Sequence, residues 1–456
     1  MSLVNSMEFL WNLVSFIVAL GVLVTIHEYG HFIVARKLGV KVLTFSVGFG
    51  KPLWQRVAKD GVRYVIATIP LGGYVKMLGE QVDDETPLTE EEQKQAFNRQ
   101  TVWVRMAIVL AGPAANFLLA ILLYWVIFIN DTTELKPVVA EPNLGTIAAA
   151  AGLKQGDQIT AVDGEITKTY KDVNLSLVKR MGESSSIDLR VLRKGEPTEK
   201  KLSLDISGWK VDEQRPDVLK SLGLIHMMRL SIIGEISKGS AADKAGFYQG
   251  DQIVSIEAQP VKLWRDMSEL LAKRPNQLTQ IEVLRNDELM SIPVVLDSRE
   301  HNGQAEGVLG IVPLVKPYFV VLEADPLQAV NMAFAETYRM IELTVRMFKK
   351  LLFGEISTKS LSGPLAIAEG AGTSASYGII TFLRFLALIS VNLGFINLLP
   401  VPMLDGGHFL YFVIEAIRGK PLSEKVQNIG LQIGMMLVFA LMAMAIFNDL
   451  SRFSFL

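Results

Sequence analysis

The 456-residue chain contains no cysteine, which excludes disulfides and cysteine-ligated zinc sites. Charge is scarce. Asp, Glu, Lys and Arg together make up 20% of residues, and the formal net charge of −2 leaves no basic footprint of the kind nucleic-acid binding needs. Histidine is rarer still, with five in the whole chain. Apolar residues are abundant instead: 50% of the sequence is hydrophobic, and the mean hydropathy of +0.31 is high for a soluble protein. The few charges gather in some stretches and vanish from others, as expected where membrane spans alternate with soluble modules.

Four stretches have the length and apolarity to cross about 30 Å of hydrocarbon: 9–36, 106–129, 377–399 and 429–447. Arg384, near the start of the third, is placed to snorkel to the interface. The first stretch has no small-residue cleavage site after it, so it is expected to be retained rather than removed as a signal; Met7 is a second candidate start. No Lys or Arg precedes it, whereas Arg36, Lys37 and Lys41 follow, and Arg99 and Arg105 lead into the second. The positive-inside rule then puts the loop between spans one and two in the cytoplasm and both termini, with the large region 131–376, outside. Asp325-Pro326 opens a further helical stretch to about Phe353, but Glu336, Arg339, Glu342, Arg346 and Lys349 give it a charged stripe. Such a helix lies at the interface or packs on the bundle instead of crossing.

An internal repeat separates spans two and three. Ala149-Ala150-Ala151-Gly152-Leu153-Lys154-Gln155-Gly156-Asp157-Gln158-Ile159 returns as Ala241-Ala242-Asp243-Lys244-Ala245-Gly246-Phe247-Tyr248-Gln249-Gly250-Asp251-Gln252-Ile253. Each copy reads as a short helix, a glycine cap, a Gly-Asp turn and then strands, including 187–192 and 280–284. The pattern resembles bacterial PDZ domains, which bind extended peptide tails at a sheet edge; two modules that bind nothing are the plainer alternative. In the loop after span one, 64–77 is β-prone, and its proline points to an edge or a bent hairpin. Tyr64, Val65, Ile66, Gly72 and Gly73 are the candidate substrate-strand contacts there. Gly48-Phe49-Gly50 allows some close backbone approach, and the acidic stretch 83–95 is expected to be solvated and mobile.

The chemistry concentrates in His27-Glu28-Tyr29-Gly30-His31, at the end of the first span. Histidines four apart share one helical face and can offer both imidazoles to one metal, with Glu28 as general base. Two of the chain's five histidines and a glutamate at a membrane boundary are expensive unless they have a function. Catalytic zinc normally takes three protein ligands. The third should come from the polar cluster ending span three, Asn397-Leu398-Leu399-Pro400-Val401-Pro402-Met403-Leu404-Asp405-Gly406-Gly407-His408, which the topology brings to the same side. Pro400 and Pro402 break the helix there and Gly406-Gly407 permit a tight turn. Chemistry leaves Asp405 and His408 as competing ligands, with Asp405 modestly favoured.

HEYGH in the first span, N-x-x-P-x-P-x-L-D-G in a later one, GFG, PLGGYVK, Ala111-Gly112-Pro113-Ala114-Ala115-Asn116 and the repeat together resemble the site-2 protease family of intramembrane zinc metalloproteases, over essentially the whole chain. The resemblance implies zinc held by His27, His31 and Asp405, Glu28 as base, Asn397 holding the unwound substrate with Asn392 in support, and a structural part for His408. Interhelical hydrogen bonding is the competing role for each asparagine. It further implies an inner-membrane metalloendopeptidase with a cytoplasm-facing site. Its substrates would be single-span proteins of the anti-sigma-factor type, or remnant signal peptides, filtered by the external PDZ pair.

The expected architecture is therefore a polytopic α-helical membrane protein with four transmembrane helices, a membrane-associated β-hairpin region and two inserted PDZ-like α+β domains. Its segments are 1–36, 37–102, 103–130, 131–210, 211–315, 316–376, 377–399, 400–428 and 429–456. Partners are transmembrane substrates, peptide tails and lipid, with no nucleic acid. A membrane zinc peptidase acting on soluble peptides, and a PDZ scaffold or chaperone without catalysis, are the alternatives.

Overall fold

The structure, a computed structural model, describes residues 3–80, 89–130, 132–140, 142–143, 145–193, 195–212, 217–224, 228–261, 264–301, 304–316, 318–322 and 324–452. The chain divides into a helical unit, built mainly from its first 132 residues and from 322 onward, and a β-rich unit between.

The helical unit contains α1 (Leu3–Lys37), α2 (Val102–Ile129), α3 (Pro326–Leu352), α4 (Pro364–Ser376), α5 (Ile379–Asn397), α6 (Asp405–Arg418) and α7 (Glu424–Arg452). Four of them, α1, α2, α5 and α7, are long and apolar enough to cross a membrane, and they coincide with the four expected spans. Arg36 and Lys37 close α1 where the helix dipole favours cations. Thr101 caps α2 by accepting from Val104 N. α2 is the hub, packing against α1, α3, α5 and α6. Ala19 and Leu23 of α1 meet Leu119 of α2 and Leu386 of α5 in one apolar cluster.

Asp325 caps α3 by accepting from Leu327 N and Gln328 N, with Pro326 in the first turn. Its buried face (Ala329, Ala333, Glu336, Thr337, Met340) packs on the bundle, so the charged stripe does not make a fifth span. α4 lacks a side-chain cap of its own. The buried carboxylate of Asp449 in α7 supplies one, accepting from Gly363 N, Leu365 N and Ala366 N at 3.0, 2.8 and 3.2 Å. Two expectations change. The 400–428 segment is not a loop around Gly406-Gly407: α6 starts at Asp405, and both glycines sit in its first turn. They are required because a methyl group at either would strike carbonyls of 398–401; the positive φ falls on Met403 instead, at 115°. Of the acidic stretch, 83–88 lies outside the described residues. Glu90–Gln95 is a helix with a Thr89–Glu92 capping box, tied by Glu92 to Lys41 at 3.2 Å.

The β-rich unit holds two separate apolar cores. One gathers Val139, Ile159, Leu177, Ile187, Leu189 and Leu204, the other Ile233, Phe247, Ile253, Ile256, Ile281 and Val283. The first backs a four-stranded sheet ordered Glu165–Ile166, Gln158–Val162, Ser186–Leu192, Glu199–Asp205. In the second, the strands run Glu288–Val295, Leu278–Arg285, Gln252–Ile256, Met228–Ile236, Ile311–Lys316. Val218, Leu222 and Leu224 belong to the first core, which carries that module past the expected boundary at 210.

The sequence repeat is a structural repeat down to its ion pairs. Asp157 accepts from Arg193 Nε and Nη2, both at 2.7 Å, and Asp251 from Arg285 Nε at 2.7 Å and Nη2 at 2.6 Å. Each Nη2 also reaches the glycine that ends the short helix, Gly152 O or Gly246 O. Burial alone would raise the Asp251 carboxyl, but the Arg285 bonds and Tyr248 N outweigh it and hold the group below the usual carboxylate range. A depressed folded pKa gives stability that is present above the unfolded value of about 3.9 and is lost as pH falls through the folded one. Arg285→Met leaves that buried carboxylate unpaired and is expected to destabilise the second module by about 3 kcal/mol at neutral pH. Thermal melts should show the gap between mutant and parent closing as the pH is taken below about 4.

Candidate metal centre and active site

His27 and His31, one turn apart on α1, are both buried, with their Nε2 atoms 3.3 Å apart. Asp405, first residue of α6, points Oδ2 between them, 3.1 Å from His27 Nε2 and 3.5 Å from His31 Nε2. The three donor atoms lie within 4.8 Å of one another. They come from segments nearly 380 residues apart.

The outer ring nitrogens are also engaged. His31 Nδ1 donates to Ile108 O at 2.8 Å, which leaves the Nε2 lone pair free in the neutral ring. His27 Nδ1 lies 3.0 Å from the carboxamide of the fully buried Asn116, whose backbone oxygen accepts from Ser390 Oγ at 2.7 Å. The amide nitrogen faces the ring here while Asn116 Oδ1, also buried, has no partner. Turning the amide over lets Oδ1 accept from Nδ1–H and frees His27 Nε2 in the same way. A methyl group at Gly112 would collide with both imidazoles, so glycine is required there.

These residues fit zinc. Two imidazole nitrogens and a carboxylate oxygen converge, the neutral rings can direct lone pairs inward, and Asp405 Oδ2 is buried with no hydrogen-bond donor among the described residues. Two histidines and one carboxylate are a catalytic-zinc donor set that leaves a coordination position open. His408 is not among the converging donors; it is exposed and sits edge-on to Tyr411, ring centroids 6.4 Å apart.

Glu28 lies beside the trio, half-buried, and its carboxylate makes no hydrogen bond among the described residues. The backbone that runs past it is β2 (Arg63–Met77), paired with β1 (Val42–Val57). A Cβ at Gly73 would lie 3.0 Å from Glu28 Cγ and 3.1 Å from Val24 Cγ1, so glycine is what lets the strand approach this side chain. Gly48 serves a similar end: a Cβ there would come within 2.7 Å of Ile69 O.

The register revises the expected strand contacts. Thr44 to Val47 of β1 have partners on both sides, Lys76 to Gly73 on one and Arg63 to Ile66 on the other. Tyr64, Val65 and Ile66 pair in turn with Arg56, Gln55 and Trp54. Those three residues are therefore interior to the sheet and offer no open edge. The edge beside Glu28 is the 73–77 arm, reached through Gly72 and Gly73.

Asn392 accepts from Thr344 Oγ1 of α3 at 2.9 Å, an interhelical hydrogen bond, so its carboxamide is engaged in packing. Asn397 ends α5, half-buried, with no hydrogen bond to its carboxamide among the described residues. Gly112 and Asn116 belong to the 111–116 motif, but their roles, like that of Ile108, emerge only from the packing of α2 against α1. The available signal was an asparagine in an otherwise apolar span, in register with a glycine one turn earlier.

Residues 15–441 match peptidase family M50. The chain is 43% identical over 452 residues to the regulator of sigma-E protease RseP of Escherichia coli K12, covering 98% of this chain and all of that one. It is 39% identical to the regulator of sigma E protease of Haemophilus influenzae, again over 98% of this chain and all of the relative. A relative from Vibrio cholerae whose name describes a zinc metalloprotease is 42% identical over 98% of this chain and 99% of its own. A near full-length match of this kind, on a bundle with four membrane-length helices, means that the chain belongs to peptidase family M50, the zinc-dependent site-2 proteases of the membrane.

Proposed function

We propose that His27, His31 and Asp405 hold the zinc, that Glu28 is the general base, and that the chain cuts the membrane-spanning segments of single-span proteins. The observation that carries this reading is the convergence of three donors from α1 and α6 beside an unpaired Glu28 carboxylate and an open strand edge.

Zinc in this position supplies Lewis acidity toward a peptide carbonyl and lowers the pKa of water toward ~7. Glu28 accepts a proton from the attacking water as its oxygen bonds to the carbonyl carbon. It then returns that proton to the amide nitrogen as the C–N bond breaks. A membrane helix arrives with every carbonyl already bonded, so it must unwind before attack. The 73–76 stretch of that edge, short of the Met77 N–H that Glu80 accepts, offers replacement backbone hydrogen bonds, which orient an extended segment past Glu28. The free carboxamide of Asn397 is suited to hold further backbone groups.

The relatives' names point to control of sigma-E, so an anti-sigma-type regulator is the proposed natural substrate in the inner membrane, with remnant signal peptides as a second class. The positive flanks orient the site to the cytoplasm and both termini outward. The two repeated modules, with their Gly-Asp turns and paired sheets, are read as PDZ domains on the outer side that admit only substrates already stripped of bulky ectodomains.

In liposomes, the chain should cut a single-span reporter, stop after chelation and recover with added zinc. Faster cutting of the same segment as a soluble peptide would favour a peptidase of soluble substrates instead. Deleting 131–310 should admit reporters with folded ectodomains; continued rejection would count against the filter.

A further inference from the structure

One face of α2 touches both proposed histidine ligands and reaches the helix that carries the third. Asn116 meets the His27 ring, Gly112 clears space for both imidazoles, and Ile108 O accepts a hydrogen bond from His31 Nδ1. The next residue down that stripe is Arg105, since 105, 108, 112 and 116 are spaced three and four apart. Its Nη2 donates to Glu415 Oε1 of α6 at 2.5 Å, and its guanidinium lies over the Phe412 ring, 4.8 Å from the centroid. Phe97 packs edge-on against the same ring. Both members of the pair are nearly buried, at 13% and 15% side-chain exposure.

We propose that the Arg105–Glu415 pair is a latch that positions Asp405, making one stripe of α2 the template for all three ligands. Asp405 needs such a device. It opens a helix whose cap, Leu404, makes no side-chain bond, just after a loop carrying Met403 at φ 115°. Asp405 and Glu415 are ten residues apart on one helix, a rigid lever of about 15 Å. Metal–ligand distances tolerate only ~0.2 Å, so a shift of the far end detunes the near one. Arg105 and Glu415 are thus positioning residues, and neither touches the reacting atoms.

The inference rests on Asp405 being a ligand, and the test separates the two. Zinc affinity of the full chain in detergent is measured by chelator competition, alongside its melting temperature and reporter cleavage with and without saturating zinc. Arg105→Gln and Glu415→Gln should each weaken zinc by about 10- to 100-fold, the range for partners that orient ligands. Saturating zinc should restore cleavage. The exchange Arg105→Glu with Glu415→Arg should recover most of the affinity, and Arg105→Lys should fall between. If the single variants prove unstable, the exchange and Arg105→Lys decide: weak zinc in an exchanged chain that melts like the parent overturns the latch. So does parental zinc affinity in either Gln variant. Zinc retained by Asp405→Ala would overturn the ligand assignment itself, whatever the latch variants do.

Discussion

Glu28→Gln is expected to stop cleavage while zinc stays bound. The substitution preserves size and shape, so the approach of Gly73 and the packing on Val24 should survive it. Glutamine cannot take a proton from water, however, and Glu28 is not among the three converging donors. Loss of a general base costs ~10²- to 10⁴-fold, and the upper end applies where no other carboxylate can substitute. Glu80, an acidic side chain outside the trio whose charge acts on Glu28, accepts from Met77 N at 3.0 Å and so is held elsewhere. Cleavage of a membrane-embedded reporter and zinc content should be measured on the same preparation. Parental cleavage by Glu28→Gln would remove the assignment of the base. Absent zinc would mean that the carboxylate also serves as a ligand.

Asp405→Ala should lose zinc, and His408→Ala should keep both zinc and activity. From sequence alone the two were open competitors. In the structure Asp405 Oδ2 stands 3.1 and 3.5 Å from the two imidazoles, while His408, three residues on, turns to Tyr411. Removing one of three protein ligands should weaken zinc by more than ~100-fold, beyond the loss of an orienting partner. It also leaves two buried imidazoles facing each other 3.3 Å apart without the carboxylate between them. Metal content after dialysis, compared across the parent and both variants, checks this. Retained zinc in Asp405→Ala together with loss in His408→Ala would reverse the ligand choice.

The 64–77 segment shows how a strand can be legible in the sequence while its register is not. Tyr64, Val65 and Ile66 have the β-branched and aromatic character of a strand, and they are one. Nothing local reveals that β1 pairs on both sides, so which arm of β2 lies outside could not be read. Gly406-Gly407 looked like a turn because glycine favours turns. Here the pair is helical and serves close approach, which depends on carbonyls of 398–401 folding back over it. Asn392 and Asn397 have the same chemistry in the same span, yet one is bonded to Thr344 and the other has no carboxamide partner among the described residues.

The four spans, the α1 histidine pair with its glutamate, and the repeat are all legible in the residues taken in order. Each is carried by a local period or by hydropathy over a short window, where neighbouring residues decide the outcome. Arg105 was legible as a flanking positive charge. Its pairing with Glu415, 310 residues away, belongs to the packing of α2 against α6. The same holds for Asn116 on His27, Ile108 on His31 and the edge beside Glu28. These depend on packing, because each joins partners with no sequence proximity, brought together where α1, α2, α6 and the small sheet meet.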